Sequence, residues 1–215
     1  MTAPLPLSFA AQLPFKYVGG DPSLDLVNTV DWTTRGLAED RLTDFERLTR
    51  WAEGAGVLTA RQGTQARALA LPQPRMAERV HREAIVLRWQ LRQLFTAASR
   101  RARVDAGGAL EAFNESLRTA LPELTLAAPS RVAVADAPLQ WSWRRASERL
   151  DSILWPVVRA AADLLTSPEA MQIRECAGDD CGWMYVDRSR NGLRRWCQME
   201  TCGNREKARR RAARG

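Results

Sequence analysis

The chain has 215 residues, 45% apolar and 27% charged, with a formal net charge of +7. That mixture excludes a disordered or fibrous chain, and no apolar run approaches the length of a membrane span. The 175 residues before the first cysteine, Cys176, are enough to bury a core without covalent staples.

Residues 1–14 lack a basic leader region and carry Pro4, Pro6 and Pro14, so no signal peptide is expected and the cytoplasm is the expected compartment. The positive charge is segregated. Residues 188–215 hold ten Lys/Arg against Glu200 and Glu206, a net +8, and the preceding residues sum to −1. Thirty of the 32 bases are arginine, so arginine identity carries no information about phosphate, whereas clustering does.

In chain order, Asp21 and Pro22 predict the cap and first turn of a short helix, with Leu24, Leu26, Val27 and Val30 as its apolar contacts. A second helix is expected near Thr43, with Phe45, Leu48 and Trp51 three apart, and a third opening at Thr59 or Ala60 and ending before Pro72. The longest begins at Pro74, carries Val80, Ala84, Leu87, Leu91, Leu94 and Ala98 on one stripe, and stops at Gly107-Gly108; a shorter one follows through Leu110, Phe113 and Leu117. LTLAA (124–128), RVAVAD (131–136) and LQWSW (139–143) predict a three-stranded antiparallel meander. A further helix is expected from Ser147, kinked at Pro156, and Thr166-Ser167-Pro168 predicts a domain boundary.

All four cysteines fall within 27 residues, as C-x4-C-x15-C-x4-C. Cys176, Cys181, Cys197 and Cys202 form two close pairs, the arrangement in which soft thiolates surround one tetrahedral zinc ion and leave no open position for catalysis. Four thiolates also suit an iron–sulfur cluster, and disulfides or plain buried thiols remain further readings. Between the pairs, WMYVD (183–187) and LRRW (193–196) predict a hairpin, and GNREKARRRAAR after Cys202 predicts a helix, together a treble-clef layout. The 45 or so residues of this module are too few to fold on apolar burial alone, so the metal is expected to supply most of its stability.

Arg188, Arg190, Arg194 and Arg195 on the hairpin, with Arg205, Lys207, Arg210 and Arg211 on the helix, are the candidate nucleic-acid contacts; a solvated, solubilising helix is the plainer reading. Trp183, Tyr185 and Trp196 either stack on bases or form the finger's small core.

The stretch CGWMYVDRSRNGLRRWCQMETCGNREKAR (181–209), four residues after Cys176, resembles the CGNR zinc-finger family, whose name stands here as Cys202-Gly203-Asn204-Arg205. GGDPSLDLVNT (19–29) is similar to the opening of the ABATE domain that commonly precedes such fingers. The resemblance implies bacterial regulators of transcription, responsive to stress, with an α+β domain ahead of a treble-clef finger, and it carries the four cysteines over as zinc ligands. Arg194, Arg195, Arg205 and Lys207 match the motif as well; their contact with DNA is inferred from charge.

His81, the single histidine, is expected to be a satisfied or surface residue. Asp25 and Asn28, with Arg88 or Arg92, could line a ligand pocket, although capping and surface hydrogen bonding explain the first two better. No G-x-S-x-G, P-loop or G-x-G-x-x-G occurs, so no enzyme is expected.

The expectation is therefore an α+β protein. A mostly helical N-terminal domain (1–167) with a three-stranded antiparallel sheet senses a small-molecule effector or forms an oligomer. A treble-clef finger (168–215) holds structural Zn2+ and binds DNA. Two alternatives are an RNA- or protein-interaction module, and a small-molecule-binding or enzymatic N-terminal domain. No membrane partner is expected.

Overall fold

The computed structural model describes residues 14–33, 36–103, 108–128 and 139–213. The fold is mostly helical with small antiparallel sheets, and no described helix is long and apolar enough to cross a membrane.

Helix α1 (Pro22–Val27) is capped by extended Asp21, which accepts the Ser23 N–H at 2.8 Å, while Pro22 occupies a first-turn position whose N–H has no helical acceptor. Leu24, Leu26 and Val27 are fully buried, so this one short helix sits at the centre of the core. The chain then forms a hairpin, β1 (Val30–Thr33) with β2 (Gly36–Asp40). Helix α2 (Phe45–Gly54) starts on the Asp44 cap, and α3 (Ala60–Ala70) starts on a reciprocal Thr59–Gln62 capping box. Helix α4 (Pro74–Ser99) buries Val80, Ala84, Leu87, Leu91 and Leu94 of its expected stripe and leaves Ala98 half-buried. It stops at Ser99, short of the glycines, with Arg101 just beyond at φ 52°. Helix α5 (Ala109–Ala120) follows.

Strands β3 (Leu124–Ala127) and β4 (Gln140–Trp143) pair directly, Leu124 opposite Trp143. The expected middle strand, 131–136, lies outside the described residues.

Two expectations need correction. Residues 150–153 form a short 3-10 turn, locked by Ser152 Oγ donating to the carbonyls of Ala146 and Arg149, so the next helix, α6 (Trp155–Thr166), begins only at Trp155. Pro156 then lies in its first turn, where a missing N–H breaks no bond, and produces no kink. Second, β6 (Met184–Val186) pairs upstream with β5 (Ile173–Glu175), while 193–196 is not a strand. The chain ends its described part in α7 (Asn204–Ala212), directly after Cys202 and a wide turn over Met199–Gly203.

Ile173, Trp183, Met184, Tyr185 and Val186 belong to the same apolar cluster as α1, α4 and α6. The expected boundary at 167/168 is crossed by several bonds. Asn28 lays its amide along β6, donating Nδ2–H to the Met184 carbonyl and accepting the Met184 N–H, both at 2.8 Å. Gly182 N–H donates to the Trp32 carbonyl (2.7 Å), Val186 N–H to Gly19 (2.8 Å) and Trp183 Nε1–H to Val30 (3.1 Å).

Asp25, also on α1, is buried beneath the Gly19 N–H (2.8 Å), and that burial pushes its pKa from 3.8 up to about 6, against the bonds that pull it down. A carboxyl raised in the fold contributes stability that is full below pH 4 and is lost as pH rises through 6. Asp25→Asn keeps the acceptor and removes the charge. Urea unfolding should find the variant about 1–2 kcal/mol more stable at pH 7.5, with the gap closed at pH 4. A variant weaker at both pH values contradicts this reading.

Candidate metal centre

The β5–β6 hairpin carries the first two sulfurs at its tip. Cys176 follows β5, its N–H donating to the Trp183 carbonyl (2.8 Å), and a tight turn over 177–180 returns the chain to Cys181. Gly178 is required there: a Cβ would lie 3.0 Å from Cys202 Cβ and 3.2 Å from its sulfur. Gly182 is required too, since a Cβ would meet Trp32 Cβ at 2.5 Å and the Trp32 carbonyl at 3.0 Å.

The loop after β6 brings the third sulfur back. Buried Asp187 pins it, Oδ1 accepting from Ser189 N–H (3.0 Å) and Oδ2 from Arg194 N–H (3.0 Å). Tyr185 donates its hydroxyl to the Arg194 carbonyl (2.7 Å), and Ala177 N–H donates to Arg195 (2.8 Å). These bonds align 194–197 beside the knuckle without making a strand. Cys202 then arrives in the turn that opens α7.

The four sulfurs lie within 4.8 Å of one another, with Cys181–Cys197 at 3.8 Å and Cys197–Cys202 at 3.6 Å. A tetrahedron with metal–sulfur bonds of about 2.3 Å has edges of about 3.8 Å, so the spacing fits one tetrahedral ion. All four are free thiols, three of them buried and Cys181 half-buried. The N–H groups of Cys197 (3.2 Å) and Gly178 (3.4 Å) donate to Cys176 Sγ, as the outer shell of a thiolate ligand should. Hydrogen bonds with the Cys181 and Cys197 thiols hold Cys176 down, and the contact with Cys176 pushes Cys181 and Cys197 up. Sulfurs this close can all ionise only around a cation.

The candidate basic contacts divide into two groups. Arg194 is structural: its guanidinium lies 4.0 Å from the Tyr185 ring centre and donates to the carbonyls of Val18 (3.2 Å), Trp196 (3.1 Å) and Cys197. Arg188 is likewise engaged, donating to both Glu169 oxygens (2.7 Å) and to the Gly20 carbonyl. Arg210 pairs with Glu206 (2.7 Å), and Arg209 with Glu206 and with Asp179 (2.8 Å). Arg190, Arg195, Arg205, Lys207 and Arg211 are exposed and make no ion pair among the described residues. Trp183 and Tyr185 are buried, so they are core rather than stacking platforms.

The four candidate pocket residues do not converge. Asp25 and Asn28 are used as described. Arg88, 1% exposed, donates to Asp40 (2.7 Å) and Thr29 (3.0 Å); Arg92 holds the Gly182 carbonyl and Glu175 beside the knuckle. His81 hydrogen-bonds the Leu42 carbonyl at 2.8 Å, a satisfied residue. The bridging roles of Asn28 and Arg92 left no mark in the sequence, because each joins positions more than 80 apart.

Residues 20–168 match ABATE, described as "putative stress-induced transcription regulator", and residues 172–215 match the CGNR zinc finger. No curated protein matches the chain. With 20–168 matched across most of its length and the four-sulfur centre inside the second match, the chain belongs to the ABATE family and carries a CGNR zinc finger.

Proposed function

We propose that this protein is a zinc-dependent, DNA-binding transcription regulator of the bacterial cytoplasm. A treble-clef finger grips phosphates, and the helical body senses an effector or oligomerises; it is not an enzyme. Zinc is the ion that best suits four thiolates with single-ion spacing and no open position.

The observation that carries the DNA reading is the group of exposed cations, without ion pairs among the described residues, on the segments that bear the third and fourth sulfurs. Arg205 and Lys207 stand on the first turns of the helix that Cys202 anchors, Arg211 lies one turn on, and Arg190 and Arg195 precede the third ligand, Cys197, in the loop after β6. Side chains held by a rigid clasp can meet successive phosphates at little ordering cost.

Arg205, Lys207 and Arg211 changed together to Ala should weaken duplex binding and reduce the salt slope by about 0.9 for each lost phosphate contact. Fluorescence anisotropy from about 50 to 200 mM salt measures both. An unchanged slope contradicts the reading, and stronger competition by RNA or an acidic protein replaces DNA as the partner. Arg194→Ala is unsuitable for this test, because it removes two backbone contacts inside the finger and one to Val18 of the body.

A further inference from the structure

Away from the finger, a cavity of about 340 Å³ opens between α3, the turn after β4 and the first turn of α6. Its apolar side is built from Val57, Leu58, Leu69, Trp143 and Ile153, and Arg145 and Arg149 stand in its wall. The size suits a small organic ligand rather than a chain of residues.

The two arginines are pre-set. Arg145 directs Nε and Nη2 at the buried Glu123 carboxylate, and Arg149 directs Nε (3.0 Å) and Nη2 at Asp151. Arg145 Nη1 makes no hydrogen bond among the described residues, and Arg149 Nη1 lies 3.9 Å from Glu123 Oε1, an ion-pair contact beyond hydrogen-bond distance. Arg149 also lies 5.1 Å from the Trp155 ring centre, which fixes its plane. Arg145 sits at φ 53°, a left-handed conformation that Gly or Asn adopts at lower cost. A charged residue kept at such a position points to a use for its side chain. Because Glu123, shared by the two guanidinia, and Asp151 offset much of their charge, the wall suits a monoanion and not a phosphate.

We propose that this cavity binds a small carboxylate with an aromatic or branched apolar body. Its head lies on the Nη1 groups of Arg145 and Arg149, and its body lies against Leu58, Leu69, Trp143 and Ile153. This rests on the reading that the body senses an effector, and gives that effector a chemical class. The cavity touches α6 at Pro156, and the other end of the same helix leads through Pro168–Gln172 into β5 of the finger.

Calorimetry on the full, metal-loaded chain without DNA tests it, using benzoate, phenylacetate and isobutyrate against their amides. At least one carboxylate should bind saturably with Kd of about 0.01–1 mM, and its amide at least about tenfold more weakly. Arg149→Gln should weaken binding by about tenfold or more. Ala66→Phe, which fills the cavity and leaves both arginines in place, should abolish it. Absence of saturable heat from all three acids at about 10 mM, a concentration far above that affinity range, overturns the proposal. So does equal binding of amide and acid, or unaltered binding in Ala66→Phe. None of these outcomes bears on DNA binding, which the anisotropy measurement decides.

Discussion

Chelation of the metal is expected to melt α7 and the knuckle while the helical body stays folded. Helix α7 is nine residues long and buries no side chain, and an isolated helix of that length is unstable in water. Its attachments are Cys202 at its start and the exposed Arg209–Asp179 pair, which is worth little. Release of the ion therefore removes what holds it. Structural zinc sites supply about 10 kcal/mol or more to modules of this size, and four adjacent thiols left without a cation repel as they ionise. Strand β6 behaves differently, because Met184, Tyr185 and Val186 are buried in the body and Asn28 and Gly19 hold its backbone. Hydrogen exchange after chelation should show 197–212 exchanging as unstructured chain, with the amides of Met184 and Val186 still protected. Protection retained throughout α7 contradicts this account, and so does loss of β6 together with it.

The second large effect is expected from Asn28→Ala. This amide is 2% exposed and makes two 2.8 Å bonds to one residue of β6, standing in for a strand where no strand is present. Truncation leaves the Met184 N–H and carbonyl buried without partners, at about 1–3 kcal/mol for each group. Urea unfolding of the metal-loaded chain should therefore show a loss of about 3 kcal/mol or more. A loss below about 0.5 kcal/mol, the scale of a surface change, removes Asn28 from its bridging role. Asn28 thus ties β6, the strand that leads out of the knuckle, to α1, so any movement of α1 pulls on β6.

The sequence made the helices and the sulfur cluster legible for different reasons. Asp21-Pro22, the Thr59–Gln62 box and Pro74 are local capping signals, and local signals survive in tertiary context. Four cysteines at paired spacing announce a tetrahedral site however the intervening chain runs. The hairpin of β1 and β2 was hidden because Asp31, Glu39 and Asp40 interrupt the apolar alternation; Asp31 and Asp40 are tied to Arg41 and Arg88 instead of facing solvent freely. Strand β5 has three residues, too few to show a period, so β6 was matched to the wrong partner downstream. Arg194 was indistinguishable from Arg195 by sequence. Only the fold shows that one stacks on a buried tyrosine and bonds three carbonyls while the other is exposed.

X-ray absorption at the zinc edge, on protein purified without added metal, tests the central claim most directly. The account predicts one zinc per chain, surrounded by four sulfurs at about 2.3 Å with no nitrogen or oxygen neighbour and no second metal. A substoichiometric ion, a mixed first shell or a metal–metal distance in the spectrum contradicts it.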